Sequence, residues 1–544
     1  MRKTPRGVRD SILATAGTPR TSWPFAFNRS FHEQGKINSV LDRNKGDRER
    51  VVILGSGWGG YILARQLDPQ KFQTLIISPR SYFAFTPLLA STSVGTLEFG
   101  CATEAIRKHN SHIEFYQGWA DDVDFNRKTL TVEDAVVDPN AGVALAGERH
   151  GGDEAKQQET LKRKNLKGQL FEVDYDKLVI SVGCYSQTFG TKGVKENALF
   201  LKDVGDARRI RRRILECFES AALPTTSDTL RKQLLNFAII GGGPTGVEFS
   251  AELSDLVRED LLKIYPTLKP YVRITVYDVA SQILSMFDSA LSTYARQTFQ
   301  KEGIQVKTEH HVEELRKGLP KELLDDPSIK DAEGVLTLKT KEDGEVGVGM
   351  AVWSTGLMAN PFIEKSLGKS WKPRADLMTV TILGKTDPAS VDWAMKKDSR
   401  SGSVVTDDRL RVQLLPVRGE KEEPETKATM RDVFALGDCA ILENVALPAT
   451  AQVANQKAKW LGKRLNKGDF DTQAFAFKNL GAMAYLGSRR AAVGTGNDKE
   501  ITGRAAWLLW RSAYVGLAVS WRNRILIPVY WFINWVFGRN ISRY

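Results

Sequence analysis

Two glycine-rich turns of the form GxGxxG, each entered from an apolar strand and left through a helix, constrain this chain more than any other feature. The first, Gly55-Ser56-Gly57-Trp58-Gly59-Gly60, follows Val51-Val52-Ile53-Leu54. The second, Gly241-Gly242-Gly243-Pro244-Thr245-Gly246, follows Phe237-Ala238-Ile239-Ile240 and runs into a helix expected from Val247 to about Tyr265. In such a turn the first glycine permits the tight bend, the second lets a diphosphate approach the backbone, and the third lets helix and strand pack closely. The helix then offers free N–H groups and a partial positive charge to the phosphates. One match is weak, because glycine-rich turns also serve simply to pack a helix. Two in matching contexts predict an α/β chain with two Rossmann-like dinucleotide-binding domains.

The two turns are not equivalent. The strand after the second, Val272 to Tyr277, ends in Asp278. A carboxylate there accepts hydrogen bonds from both ribose hydroxyls and repels the 2′-phosphate of NADPH, so this half is predicted to take NADH; an ordinary exposed strand-end Asp is the plainer reading. The matching strand after the first turn runs into Ser78-Pro79-Arg80 with no acid.

Composition is that of a globular protein, 42% hydrophobic and 26% charged, and 544 residues allow two or three cored domains. The net charge of +12 gathers largely at the two ends. Residues 1 to about 47 carry Arg2, Lys3, Arg6, Arg9, Arg20 and Arg29 against the single acid Asp10 in the first 32 positions, as a mitochondrial transit peptide or a disordered basic tail would. The four cysteines, Cys101, Cys184, Cys217 and Cys439, are far apart and form no CxxC pair, which predicts neither a disulfide framework nor a metal site. Polar stretches at Asp138–Lys167, Lys369–Arg400 and Arg418–Lys427 read as surface insertions.

From Gly503 to Tyr544 the chain holds five of its 12 tryptophans and six arginines, with no acid. The longest apolar run, Ile525 to Phe537, is 13 residues with Pro528 and Asn534 inside it. That is short of the ~20 needed to span a bilayer, so residues 503–544 are expected to lie on a membrane surface with Arg504, Arg511, Arg522 and Arg524 toward anionic headgroups. A buried helix pair or a homodimer contact through the same segment is the alternative. No nucleic-acid partner is expected.

Taken together, GSGWGG (55–60), SPRSYFAFTPLLASTSVGT (78–96), IIGGGPTGVEFSAEL (239–253), STGL (354–357), ALGDCA (435–440), LPATAQVANQ (447–456) and FGRNISR (537–543) resemble the type II, alternative, non-proton-pumping NADH:ubiquinone oxidoreductases, most closely in appearance their fungal mitochondrial members. The resemblance implies FAD near Gly55, Gly57, Trp58, Gly60, Arg80 and Thr86, with Asp438 holding the ribityl chain. It implies NADH along Gly241, Gly243, Thr245, Gly246 and Asp278, with Thr355 and Gly356 where the second domain returns to the first. Glu248 is expected close to nicotinamide and flavin, positioning the donor and relaying protons, although a carboxylate in a helix's first turn also has a structural reading. Gln452 and Gln456, four apart on one helix face, are expected to offer neutral amides to a quinone. The start of their helix, near Thr450, is expected to turn its positive end toward the reduced flavin.

The implied organisation is a basic segment (1–47), an FAD domain in two parts (48–225 and 355–470) around an NADH domain (226–354), and a membrane-anchoring C-terminal domain (471–544). The implied activity is hydride transfer from NADH to FAD and two-electron reduction of ubiquinone, peripheral to the mitochondrial inner membrane, with the matrix side favoured. The rivals are a dithiol flavoprotein, such as a disulfide or sulfide:quinone reductase, and an NADH-binding flavoprotein sensor with little turnover.

Overall fold

The apolar strands entering the two glycine turns are buried from end to end apart from the leading Glu49, and in the computed structural model each is central in its own sheet, with a parallel neighbour on both sides. Residues 38–109, 111–136, 168–329, 331–381, 391–417, 426–494 and 500–542 are described. Most of the basic N-terminal segment, all of the 138–167 insertion and most of that at 418–427 lie outside them. Asn38–Arg43 forms a short helix.

Strands buried on both faces read as near-continuous apolar runs, and that is why both are legible without alternation. In the first sheet Glu49–Leu54 lies between Phe72–Ser78 and Lys177–Ile180, with Ile113–Asp124 outside the former. Beyond Lys177–Ile180 comes a strand from far downstream, Lys427–Ala435, paired in parallel so that Val433 meets Leu178 and Ala435 meets Ile180. The sheet widens at both sides, mostly through antiparallel pairs, to 12 strands. The second sheet has five strands, all parallel, in the order Leu199–Phe200, Met350–Trp353, Asn236–Ile240, Arg273–Tyr277, Ile304–Lys307. This is the expected α/β class with two Rossmann-like units.

The helix leaving the second turn, Pro244–Leu256, starts with proline where a missing N–H costs nothing, and every residue from Gly246 to Leu256 is buried. It does not run straight on to Tyr265: Val257–Leu261 is a π-turn, followed by Leu262–Ile264. Against it packs the C-terminal unit, a three-stranded antiparallel sheet (Ala482–Gly487, Arg490–Gly494, Glu500–Thr502) and two helices, Gly503–Leu517 and Trp521–Phe537. The second continues through Pro528. Ala506, Trp510, Tyr514 and Ile527 are buried, while Trp521, Ile525, Phe532, Trp535 and Phe537 are more than half exposed. No helix among the described residues is long and apolar enough to cross a membrane.

The third glycine of each turn sits where only hydrogen fits: a Cβ on Gly60 would lie 2.0 Å from the Gly55 carbonyl oxygen, and one on Gly246 would lie 1.9 Å from that of Gly241. Gly60→Ala is therefore expected to cost about 1–3 kcal/mol through forced separation of strand and helix. A lowered urea midpoint at unchanged slope checks this; an unchanged midpoint would show that the turn relaxes freely.

Candidate active site

The chemistry-bearing ends of both sheets face one another. At the first turn Gly55 is left-handed (φ 106°), and a Cβ there would strike the Ser181 carbonyl oxygen at 2.2 Å. Gly57, by contrast, would meet nothing within 4 Å, so the middle of the turn is open to a ligand. Ser56 fixes the neighbouring strand ends, its hydroxyl lying 2.9 Å from that of Ser78 and donating to the Tyr82 carbonyl. The Trp58 indole N–H donates to the Thr86 hydroxyl at 3.0 Å, and its ring packs on Phe83 and Phe85. Arg80 is held by Asp203 at 3.5 Å.

The second turn repeats the arrangement. Gly241 is left-handed (φ 112°) and closes on Ser354 and Thr355, while Gly243 faces open space. Asp278 lies at the end of its strand and accepts from the backbone N–H of Gly242 and, at 2.7 Å, from that of Ala280. The Thr355 hydroxyl is buried with no hydrogen-bond partner, beside Gly356 in a left-handed conformation. An open second glycine in each turn and an orphaned hydroxyl beside the second are what dinucleotide sites without their ligands should show, so the residues present fit FAD and NADH.

Between the turns lies a cleft of about 440 Å³. Gly57, Trp58, Arg80 and Thr86 reach it from the first sheet, Thr245 and Glu248 from the helix after the second turn, and Asp438 from the turn after Lys427–Ala435. Sequence reasoning missed two residues there. Lys202 sits 3.0 Å from the Cys184 sulfur, whose thiol donates to Asp438 at 3.2 Å, forming a Lys–Cys–Asp cluster on the wall. Tyr514 enters from the first C-terminal helix. No motif marks Lys202, but the spacing Ala506, Trp510, Tyr514 is a helical stripe that marks an inward face.

Glu248 is almost fully buried, and its Oε1 accepts from the Trp510 indole N–H at 3.0 Å and the Tyr485 backbone N–H at 3.2 Å. Burial pushes its carboxyl up to about 8 against those two donors, and Glu252 one turn on adds to the rise.

The glutamines behave otherwise than expected. Gln452 donates to the Gly481 carbonyl and accepts from the Leu480 N–H, each at 3.2 Å. Gln456 donates to the Lys478 carbonyl at 2.8 Å and accepts from its N–H at 3.0 Å. Both amides are occupied at both ends in pinning the segment 478–481, and the cleft is lined instead by Ala451 and Ala454 of their helix, Ala451–Lys467. Thr450 caps that helix by accepting from the Val453 N–H. Of the four C-terminal arginines expected at headgroups, Arg522 is engaged with the Gly100 carbonyl and Arg524 with that of Ala518.

All four cysteines are free thiols, and burial raises each, Cys184 to about 12 and Cys101, Cys217 and Cys439 to about 11. Neither a disulfide nor a ready thiolate is offered to dithiol chemistry.

Because Glu248 holds its proton more tightly folded than unfolded, its stabilising contribution is complete below about 4.5 and is lost as pH rises through about 8. Glu248→Gln keeps the neutral shape without that loss. Its melting temperature relative to the parent is therefore expected to rise steadily from pH 5 to 9; a pH-independent difference would show that the carboxyl does not titrate in this range.

Residues 49–380 match the pyridine nucleotide-disulphide oxidoreductase family, and residues 479–540 match the NDH2 C-terminal domain. The chain is 32% identical to the external alternative NAD(P)H-ubiquinone oxidoreductase B1, mitochondrial, of Solanum tuberosum, over 94% of this chain and 93% of the relative. It is also 32% identical to the internal alternative NAD(P)H-ubiquinone oxidoreductase A1, mitochondrial, of the same organism, over 92% and 90%. Its fold is that of NDH2 from Plasmodium falciparum, solved in complex with NADH, with a TM-score of 0.70 at 22% identity over 91% of this chain and 100% of the other. Two glycine turns facing one cleft, a buried carboxyl between them and a matching C-terminal domain place this chain in the pyridine nucleotide-disulphide oxidoreductase family, among the type II, alternative NAD(P)H–ubiquinone oxidoreductases.

Proposed function

We propose that this protein is an FAD-dependent NADH:ubiquinone oxidoreductase that reduces membrane quinone without pumping protons. The observation that carries the reading is the single cleft in which both glycine turns, Asp438, Glu248 and Tyr514 converge. FAD bound along the first turn supplies the redox chemistry, accepting a hydride from NADH and yielding two electrons to quinone. The protein's residues supply placement. Gly57 leaves room for the FAD diphosphate at the start of the following helix, with Gly55 and Gly60 shaping the turn around it, Trp58, Arg80 and Thr86 beside it and Asp438 on the ribityl chain. Gly241, Gly243, Thr245 and Gly246 do the same for NADH, with Thr355 and Gly356 at its far side and Asp278 on the ribose hydroxyls. Glu248, its Oε1 taken by two donors, holds a proton at Oε2 near neutral pH, poised for a quinone that must gain two protons on reduction. Domain boundaries near residues 225, 354 and 470 follow from the same reading.

The protein is a peripheral mitochondrial enzyme on this reading, docked at the inner membrane through the exposed apolar face of residues 503–542. A matrix-facing orientation is favoured over the intermembrane-space side because no apolar stop-transfer stretch accompanies the basic N-terminal segment, and contact between two copies uses the same C-terminal helices. Protease protection in mitochondria compared with mitoplasts reads out the orientation.

Under anaerobic conditions one equivalent of NADH is expected to bleach the flavin rapidly, NADPH much more slowly, and a short-chain ubiquinone to restore the absorbance. Bleaching without quinone-driven recovery would sink the reductase reading. Asp278→Asn is expected to raise the KM for NADH and narrow the NADH-over-NADPH preference by roughly tenfold, the effect of about 1.4 kcal/mol. An unchanged preference would remove Asp278 as the selector. Serine at each of the four cysteine positions is expected to leave turnover intact.

A further inference from the structure

A second cavity, of about 450 Å³, lies on the far side of Trp510 from the cleft, between the helix Pro244–Leu256, the hairpin turn at Ser488-Arg489 and the two C-terminal helices. Three acids and three arginines line it, and most are mutually satisfied. Asp255 accepts from the Tyr485 hydroxyl, the Ser488 N–H and Arg258. Glu252 accepts from the hydroxyls of Ser91 and Thr96 at 2.6 Å each. Arg539 is paired with Glu259 at 2.9 Å and Asp260 at 2.6 Å.

Two cations are left over. Among the described residues neither the Arg511 nor the Arg489 side chain has a hydrogen bond or an ion pair, and the buried Arg511 Nε has no acceptor. Arg511 is instead held over two indoles, 4.3 Å from the ring centroids of both Trp507 and Trp531. Burial weighs most against its cation, the nearby Glu252 and Tyr485 favour it, and the like charges of Arg489 and Arg539 oppose it, leaving it lowered overall. Arg489 is delivered by a two-residue turn in which both Ser488 (φ 49°) and Arg489 (φ 59°) are left-handed, a geometry that ordinarily selects Gly, Asn or Asp. A strained turn aiming an unpaired guanidinium beside a second, desolvated one is an arrangement completed by an anion.

We propose that this pocket binds the phosphate of an anionic phospholipid headgroup, with Arg511 and Arg489 as its donors. The rim selects a lipid over free phosphate: Phe532 and Trp535 line the pocket and are 60% and 69% exposed, continuing the apolar face of Trp521 and Ile525 along which acyl chains would lie. The inference rests on the membrane-docking reading and adds to it a stoichiometric headgroup site beside the active-site carboxyl.

The test is flotation of the full, FAD-loaded chain with vesicles of phosphatidylcholine alone or mixed with phosphatidylglycerol. The wild type is expected to bind both, the mixed vesicles about tenfold better, and to keep a preference in high salt, where diffuse attraction is screened. R511Q and R489Q are expected to abolish the high-salt preference while leaving phosphatidylcholine binding and NADH-driven flavin bleaching unchanged. R504Q, which removes an exposed arginine from the same helix, should retain it, and R511K, which keeps the charge but not the fork, should retain only part. Equal losses in R504Q and R511Q would reduce the effect to diffuse electrostatics and overturn the site, as would inorganic phosphate competing as well as the lipid. Retained phosphatidylcholine binding without any preference defeats the pocket alone; loss of binding to both vesicles by the wild type defeats the docking reading beneath it.

Discussion

The constraint on which this structure depends is that the helix after the second glycine turn is buried from Gly246 to its end yet carries three carboxyls, Glu248, Glu252 and Asp255. Buried carboxyls are tolerated only with hydrogen-bond partners, and a helix cannot supply these from its own backbone. Each therefore recruits donors from a distant segment: Trp510 and Tyr485 to Glu248, Ser91 and Thr96 to Glu252, Tyr485 and Ser488 to Asp255. The helix thus ties the first sheet's loops, the second sheet and the C-terminal unit into one arrangement. The partners differ in kind. Hydroxyls and backbone N–H groups are neutral donors, so the helix is satisfied without a buried ion pair at Glu248, and the carboxyl is left protonatable at the edge of the cleft.

This arrangement gives the C-terminal segment a direct bearing on the site. The first C-terminal helix turns Trp510 and Tyr514 inward, one to the carboxyl and the other to the cleft wall, while the second helix presents its apolar residues outward. Glu248 thus lines the cleft while taking its indole donor from the C-terminal unit.

What the sequence made legible was what depends on local backbone geometry. Gly55, Gly60, Gly241 and Gly246 were readable because a left-handed turn and a close helix–strand contact admit no side chain, and Asp278 because a strand end has a fixed place relative to the turn beside it. The long-range hydrogen bonds were not. Nothing in LPATAQVANQ says that Gln452 and Gln456 have both amide ends engaged by residues 478–481, since four-residue spacing defines a helix face and not what covers it. Lys202 carried no signal because its partner Cys184 belongs to a separate strand. Nor did Pro528 break its helix: with the C-terminal unit supporting it, the helix tolerates a residue that local propensity counts against it.

The pairing of Lys427–Ala435 with Lys177–Ile180 carries a consequence for how the molecule comes to be assembled. Every strand of the second sheet lies between residues 199 and 353, so that sheet closes from one contiguous stretch. The first sheet has an open edge at Lys177–Ile180 until a strand some 250 positions later arrives, and pairings so distant along the chain are the slow ones. Until then the buried strand Glu49–Leu54 is flanked by an unfinished neighbour and the Asp438 turn is missing from the cleft. The second sheet can therefore pair before the first is complete, and an interrupted or truncated chain would leave the edge at Lys177–Ile180 open to aggregation.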